Sequence, residues 1–83
     1  MKHIRYARAA VKTLQRIPAN DAKRIRAKIH QYARNSESLA RNVSKLQGRD
    51  GYRLRVGYWR VIFEEDGTVL DIIDVGPRGR IYD

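Results

Sequence analysis

"GYRLRVGYWRVIFEEDGTVLDIIDVG", residues 51–76, alternates apolar and polar side chains with a period of two, the pattern of half-buried strands. Gly57-Tyr58 and Asp66-Gly67 interrupt it. Asp-Gly is a strong two-residue hairpin signal, because a type I′ turn needs positive φ angles that Gly and Asp tolerate. Three antiparallel strands are expected, at 51–56, 58–65 and 68–75. With Gly57-Tyr58 as the first turn, Val56 faces Trp59, Arg55 faces Arg60, Leu54 faces Val61 and Tyr52 faces Phe63. The Asp-Gly turn then sets Phe63 against Leu70 and Val61 against Ile72. One face of this meander collects Tyr52, Leu54, Val56, Trp59, Val61, Phe63, Leu70 and Ile72, which is enough for a core. The other carries Arg53, Arg55, Arg60, Ile62, Glu64, Val69, Asp71 and Ile73.

Working outward, "KHIRY" alternates with Ile4 and Tyr6 on one side, as a short first strand would. Ala7, Ala10, Val11, Leu14 and Ile17 then recur at three and four residues, an amphipathic helix that Pro18 stops or turns. Asn20 is the expected N-cap of a second helix, and Asp21 suits its positive end. The apolar stripe of that helix is Ala22, Ile25, Ile29 and Ala33, flanked by Tyr32. Lys23, Arg24, Arg26, Lys28 and Arg34 fall mostly on its other side, either as a solvated surface or as a face for a polyanion. Residues 35–51 are polar with weak periodicity and read as a loop with a short turn around Leu39 to Val43. The ending "GPRGRIYD" reads as an irregular tail. Residues 1–83 are expected to form one α+β domain of order β-α-α-β-β-β, a small antiparallel sheet with an N-terminal helical hairpin packed on one face.

An 83-residue chain buries only roughly 60% of the surface its unfolded form exposes. The absence of cysteine excludes disulfides and thiolate metal sites and suits a reducing cytoplasm. The opening "MKHIRYARAAVKTL" has neither the apolar core of a signal peptide nor the length of a membrane span, so a soluble cytoplasmic protein without a membrane partner is expected. Eighteen Lys and Arg against nine Asp and Glu give a net charge of +9, which favours polyanionic partners. Residues 1–35 hold ten basic residues and one acid, whereas residues 36–83 hold eight of each sign. A positive cluster in the second half is therefore a matter of placement.

Arg55 facing Arg60 is such a placement, at a cost of about 0.2–1 kcal/mol for like charges opposite one another. Either Asp71 and Glu64 neutralise the arginines, or the face receives an anion from outside, with Arg78 and Arg80 close enough in sequence to join. Arginine suits phosphate because its planar fork donates two hydrogen bonds and keeps its charge. Several arginines around one phosphate can stabilise the charge that develops when it is attacked. The chain has no HExxH, no Walker glycine loop and no paired catalytic carboxylates, and no cofactor is expected. His3 and His30 are isolated and read as surface or packing residues. Lys45 and Arg49 precede the arginine strand and are candidate RNA contacts together with Arg80. Tyr82 either anchors the tail, or stacks on a base or handles a proton.

"KLQG…GYRLRVGYWRVIFEEDG…DVGPRGRIY", with the helical hairpin before it, resembles the RelE/ParE superfamily of toxins from bacterial toxin-antitoxin systems, most closely its RelE branch. The resemblance spans nearly the whole chain. It implies a ribosome-dependent, metal-independent endoribonuclease that cuts mRNA in the ribosomal A site. The message's own 2′-hydroxyl attacks, leaving a 2′,3′-cyclic phosphate and a 5′-hydroxyl. It maps the functional residues onto Arg53, Arg55, Arg60, Arg78 and Tyr82. RelE-like enzymes commonly carry lysine where Arg53 and Arg55 stand, and arginine is a poor proton donor or base. Proton transfer here would lean on Tyr82 or on the ribosome and RNA. The resemblance also implies a cognate antitoxin, and toxin-antitoxin hetero-oligomers that hold operator DNA through the antitoxin. Two alternatives stay open: a ParE-like poison of DNA gyrase without nuclease activity, and a non-catalytic nucleic-acid-binding module.

Overall fold

The computed structural model describes residues 1–80, so Tyr82 lies outside the described residues. The chain runs β1 (His3–Tyr6), α1 (Arg8–Arg16), α2 (Ala19–Arg34), an irregular 3-10 helix (Ser36–Asn42), β2 (Val43–Lys45), β3 (Tyr52–Val56), β4 (Trp59–Glu65) and β5 (Val69–Pro77). The strands form one sheet in the order β1-β5-β4-β3-β2. The α+β architecture is the expected one, with two differences. The sheet is mixed, because β1 lies parallel to β5, with Ile4 opposite Leu70 and Tyr6 opposite Ile72. The polar segment also contributes an edge strand, β2, antiparallel to β3.

The helical hairpin forms for the anticipated reason. Ala10 and Leu14 of α1 and Ala22, Ile25, Ile29, Tyr32 and Ala33 of α2 are buried against the sheet. The α2 N-cap, however, is Pro18 rather than Asn20: the Pro18 carbonyl accepts from the Asp21 and Ala22 amides at 3.0 Å. Pro18 ends α1 and, with its fixed φ and no N–H to leave unpaired, costs nothing at a helix start. Beneath the helices lie Leu54, Val56, Val61, Phe63, Leu70 and Ile72, all buried, with Tyr52 and Trp59 partly buried at the margins. Phe63 packs between two tyrosine rings, Tyr32 at 4.9 Å and Tyr52 at 5.5 Å. The Tyr32 hydroxyl donates to Glu65 Oε2 at 2.7 Å, and Lys2 pairs with the other oxygen of that carboxylate. Burial and the Glu65 contact hold the Tyr32 phenol protonated well above its ordinary range.

The first hairpin has the expected register, Val56 opposite Trp59 through Tyr52 opposite Phe63. Gly57 takes the left-handed conformation at its turn, with φ +57. The second hairpin differs: Phe63 faces Ile72 and Val61 faces Val75. Gly67 does not adopt positive φ. Instead Asp66 Oδ1 accepts from the amides of Thr68 and Val69, both at 2.7 Å, and from the Thr68 hydroxyl at 3.1 Å. The carboxylate takes the amides that a type I′ turn would leave to backbone, so Gly67 and Thr68 form the tip. A bulge follows, since Phe63 pairs with Ile72 while Ile62 pairs with Asp74, leaving Ile73 extra. It carries Val75, not Asp74, to the core side.

The face away from the helices is not uniformly solvated. Ile62 is fully buried there, with Leu46 and Ile73 over it. The chain after β2 folds back, its Leu46 amide donating to the Gly51 carbonyl at 3.0 Å. Gly51, at φ +111, has no room for a side chain, because a Cβ would lie 3.0 Å from the Phe63 carbonyl. Among the described residues no helix is long and apolar enough to cross a membrane.

Candidate active site

Strand alternation projects Arg53 and Arg55 from β3 and Arg60 from β4 onto the side away from the helices, beside the Ile62 patch. These three line one groove of about 260 Å³, together with Arg41, Asn42, Val43 and Ser44. Among the described residues no acidic side chain lines it. Arg55 lies opposite Arg60, and among the described residues neither forms an ion pair. The Arg60 guanidinium is held instead by backbone carbonyls, donating to Gly57 at 2.8 Å and Trp59 at 3.0 Å. Those bonds orient the fork and leave its charge uncompensated. Arg53 reaches Ser44 Oγ at 3.4 Å across β2.

The two acids that might have neutralised this face are engaged elsewhere or lie apart. Asp71 accepts a two-pronged contact from Arg5 on β1, at 2.8 and 3.2 Å. That guanidinium holds the Asp71 carboxyl below its usual range. Glu64 lines a separate depression with Lys45, Asp50 and Glu65. A groove lined by four guanidiniums can bind an anion by charge and orient it through planar hydrogen-bond forks.

The other candidate residues are distributed unevenly. The Arg78 amide donates to the Tyr58 carbonyl at 2.8 Å, which brings the chain after β5 to the turn next to Arg60. Gly76 lies opposite Arg60, and Arg78, two residues on, is exposed and is not among the residues that line the groove. Arg80 lines a different depression, against Thr13, Arg16 and Ile17 on one side and Tyr58 and Trp59 on the other. Lys45 is on β2 opposite Tyr52, outside the arginine groove, and Arg49 sits in the exposed loop after β2. His3 and His30, isolated in sequence, share one depression away from the groove. Among the described residues no group of three or more His, Asp or Glu side chains is arranged to hold a metal ion.

Arg41 was not legible as a site residue. It lies in a polar segment without clear period, and only the bracketing apolar residues Leu39 and Val43 hint that its backbone is fixed.

The fold, a small sheet backed by a helical hairpin, is shared with known proteins. The sequence model of the ParE toxin of type II toxin-antitoxin systems, parDE, matches residues 4–82, and the chain belongs to this toxin family. It falls within the RelE/ParE superfamily that the strand and tail motifs resemble. Toxin RelE3 of Methanocaldococcus jannaschii is 34% identical over 82 residues, covering 94% of this chain and 92% of that protein. A chain of the archaeal RelE-RelB complex from Pyrococcus horikoshii OT3 superposes with a TM-score of 0.79 at 28% identity, over 95% of this chain and 97% of that one. The RelB-RelE antitoxin-toxin complex from Methanococcus jannaschii gives 0.72 at 30% identity, over 94% of each chain. The RelBE2 toxin-antitoxin complex from Mycobacterium tuberculosis, at 20% identity, shares the fold with a TM-score of 0.68.

Proposed function

We propose that this toxin is a ribosome-dependent, metal-independent mRNA endoribonuclease whose reaction centre is the groove of Arg53, Arg55 and Arg60, completed by Arg78 and Tyr82. The observation that carries the reading is a groove lined by four arginines and, among the described residues, by no acid, with Arg60 fixed by two carbonyls. A scissile phosphate seated between Arg55 and Arg60 meets charge where attack adds negative charge. The 2′-oxygen of the message forms a bond to phosphorus, the bond to the 5′-oxygen breaks, and a 2′,3′-cyclic phosphate and a 5′-hydroxyl result. The 2′-hydroxyl proton must leave and the departing 5′-oxygen must gain one. Guanidinium, with a pKa above 12, does neither, so these transfers fall to Tyr82 or to groups of the ribosome and RNA. The ribosome supplies alignment, for which well-oriented reactions gain several kcal/mol, roughly 7–11 at best.

RelE relatives crystallised with RelB support a cognate antitoxin as partner here. Such a complex would hold operator DNA through the antitoxin. A chain of charge +9 attracts an acidic partner over long range, with steering that weakens as salt rises.

The test compares cleavage of a defined message with and without translating ribosomes. Cuts confined to ribosome-engaged message, each ending in a cyclic phosphate, are expected. The match to the ParE family favours one rival, inhibition of DNA gyrase. Intact message alongside blocked gyrase supercoiling would establish that reading instead.

A further inference from the structure

We propose that the groove holds two successive phosphates of one nucleic-acid strand, and that Arg41 forms the second phosphate's site with Arg53 and Ser44. This rests on reading the groove as the RNA-cleaving site. Charge is the first reason. Among the described residues four guanidiniums and no acid line the groove, whereas a phosphodiester carries one negative charge. A single phosphate between Arg55 and Arg60 would leave the charge of Arg41 unanswered, and a second meets it.

Spacing is the next reason. Arg55 and Arg60 face each other across β3 and β4 and make one station. Arg53, two residues back along β3, reaches Ser44 Oγ and makes another. Residues i and i+2 of a strand share a face and lie about 7 Å apart, the scale of one nucleotide step. The groove, at about 260 Å³, falls below the roughly 300–1,000 Å³ typical of pockets that enclose a whole small molecule. It suits a backbone running along it.

Arg41 is what closes the second station. Its segment is pinned on both sides, by Leu39, buried in the core, and by Val43, paired with Leu54. Among the described residues its guanidinium makes no hydrogen bond or ion pair. A pinned backbone with an unengaged fork at the groove wall is a preorganised anion contact, and structure alone gives it no other role.

Binding of a nucleoside 3′,5′-bisphosphate, whose two phosphates are one step apart, is compared with that of the 3′-monophosphate by titration calorimetry at fixed salt. The wild type is expected to prefer the bisphosphate by about tenfold or more, the worth of a charge-assisted fork. Arg41→Ala should remove most of that preference while leaving monophosphate affinity within about twofold, and Arg41→Lys should restore part of it. Lys12→Ala, which removes the same charge from the exposed side of α1, should change nothing. Equal effects of Arg41→Ala and Lys12→Ala reduce the preference to bulk attraction and overturn the proposal. So does the absence of a preference, or of binding, in the wild type. Cleavage on ribosomes is followed in parallel. Active cleavage without a bisphosphate preference overturns the second station alone. An Arg41-dependent preference in a protein that never cuts overturns the nuclease reading and leaves the phosphate station standing. In an active protein Arg41→Ala should raise KM with little change in kcat, the mark of lost uniform binding.

Discussion

The two faces of the sheet are made from alternate residues of the same strands, yet they behave as different materials. Toward the helices, Leu54, Val61, Phe63, Leu70 and Ile72 merge with α1 and α2 into one core. Away from them, the surface is divided between a small apolar patch of Leu46, Ile62 and Ile73 and a groove crowded with like charges. The first face concentrates the stability of the domain. The second carries a local electrostatic cost, Arg55 facing Arg60, that a bound anion would relieve. Substitutions on the two faces should therefore fail in different assays.

The largest effect is expected on the helix face. Phe63→Ala removes a ring held between Tyr32 and Tyr52 and should cost about 3–5 kcal/mol. A domain of 83 residues has roughly 4–12 kcal/mol in total, so the urea midpoint should fall by a large fraction of its wild-type value. On the open face, Arg60→Ala should lower cleavage about a hundredfold or more, as for other lost contacts to developing charge, with a nearly unchanged melting temperature. A variant that unfolds would merge the two faces, and one that folds and cuts normally would remove Arg60 from the site.

Leu46→Ala sharpens the division within the open face. Leu46 is nearly buried over Ile62, and the loop above it can relax, so the loss should sit near the low end for such truncations, about 2 kcal/mol. Denaturation should report it while phosphate binding in the groove stays the same. Arg55→Glu runs the other way. It places opposite charges across β3 and β4, should stabilise by up to about 1 kcal/mol, and should abolish cleavage. Greater stability with lost activity in one variant would be direct evidence that the like-charge pair is kept for a ligand.

What sequence revealed follows the same physical lines. The β3–β4 register was legible because a single Gly-anchored turn and a period of two determine it, and with it the Arg55–Arg60 confrontation. The β4–β5 register was not, because it depends on which amides the Asp66 carboxylate captures and on a bulge at Ile73. Composition marks neither. β2 is three residues long and exists because β3 offers it an edge, so local pattern could not reveal it, nor the role of its neighbour Arg41. Burial of Ile62 depended on Leu46 folding back from sixteen residues upstream, a contact that alternation read as solvent. The parallel pairing of β1 likewise arises only when the helical hairpin has returned the chain across the sheet.

The smallest expected effect concerns acid, and it separates the groove from its surroundings. Asp66 and Asp71 both titrate below the ordinary carboxylate value of 3.8, Asp66 because the Thr68 and Val69 amides and the Thr68 hydroxyl bind its charged form, Asp71 because Arg5 does. A depressed folded pKa means that the unfolded chain takes up the proton first as pH falls. The stabilisation is then complete above the unfolded value and is lost as pH drops through 3.8 toward the folded one. From pH 7 to 5 these groups should leave stability flat. Below about 4 it should decline. Asp66→Asn should be less stable than the wild type at neutral pH, since its amide binds the turn's N–H groups less strongly than a carboxylate. Thermal melts of the two proteins should converge at low pH, where the wild-type carboxyl is protonated. Parallel melts across the range would mean that the Asp66 charge does not hold the second turn, and the account of its shifted register would fail with it.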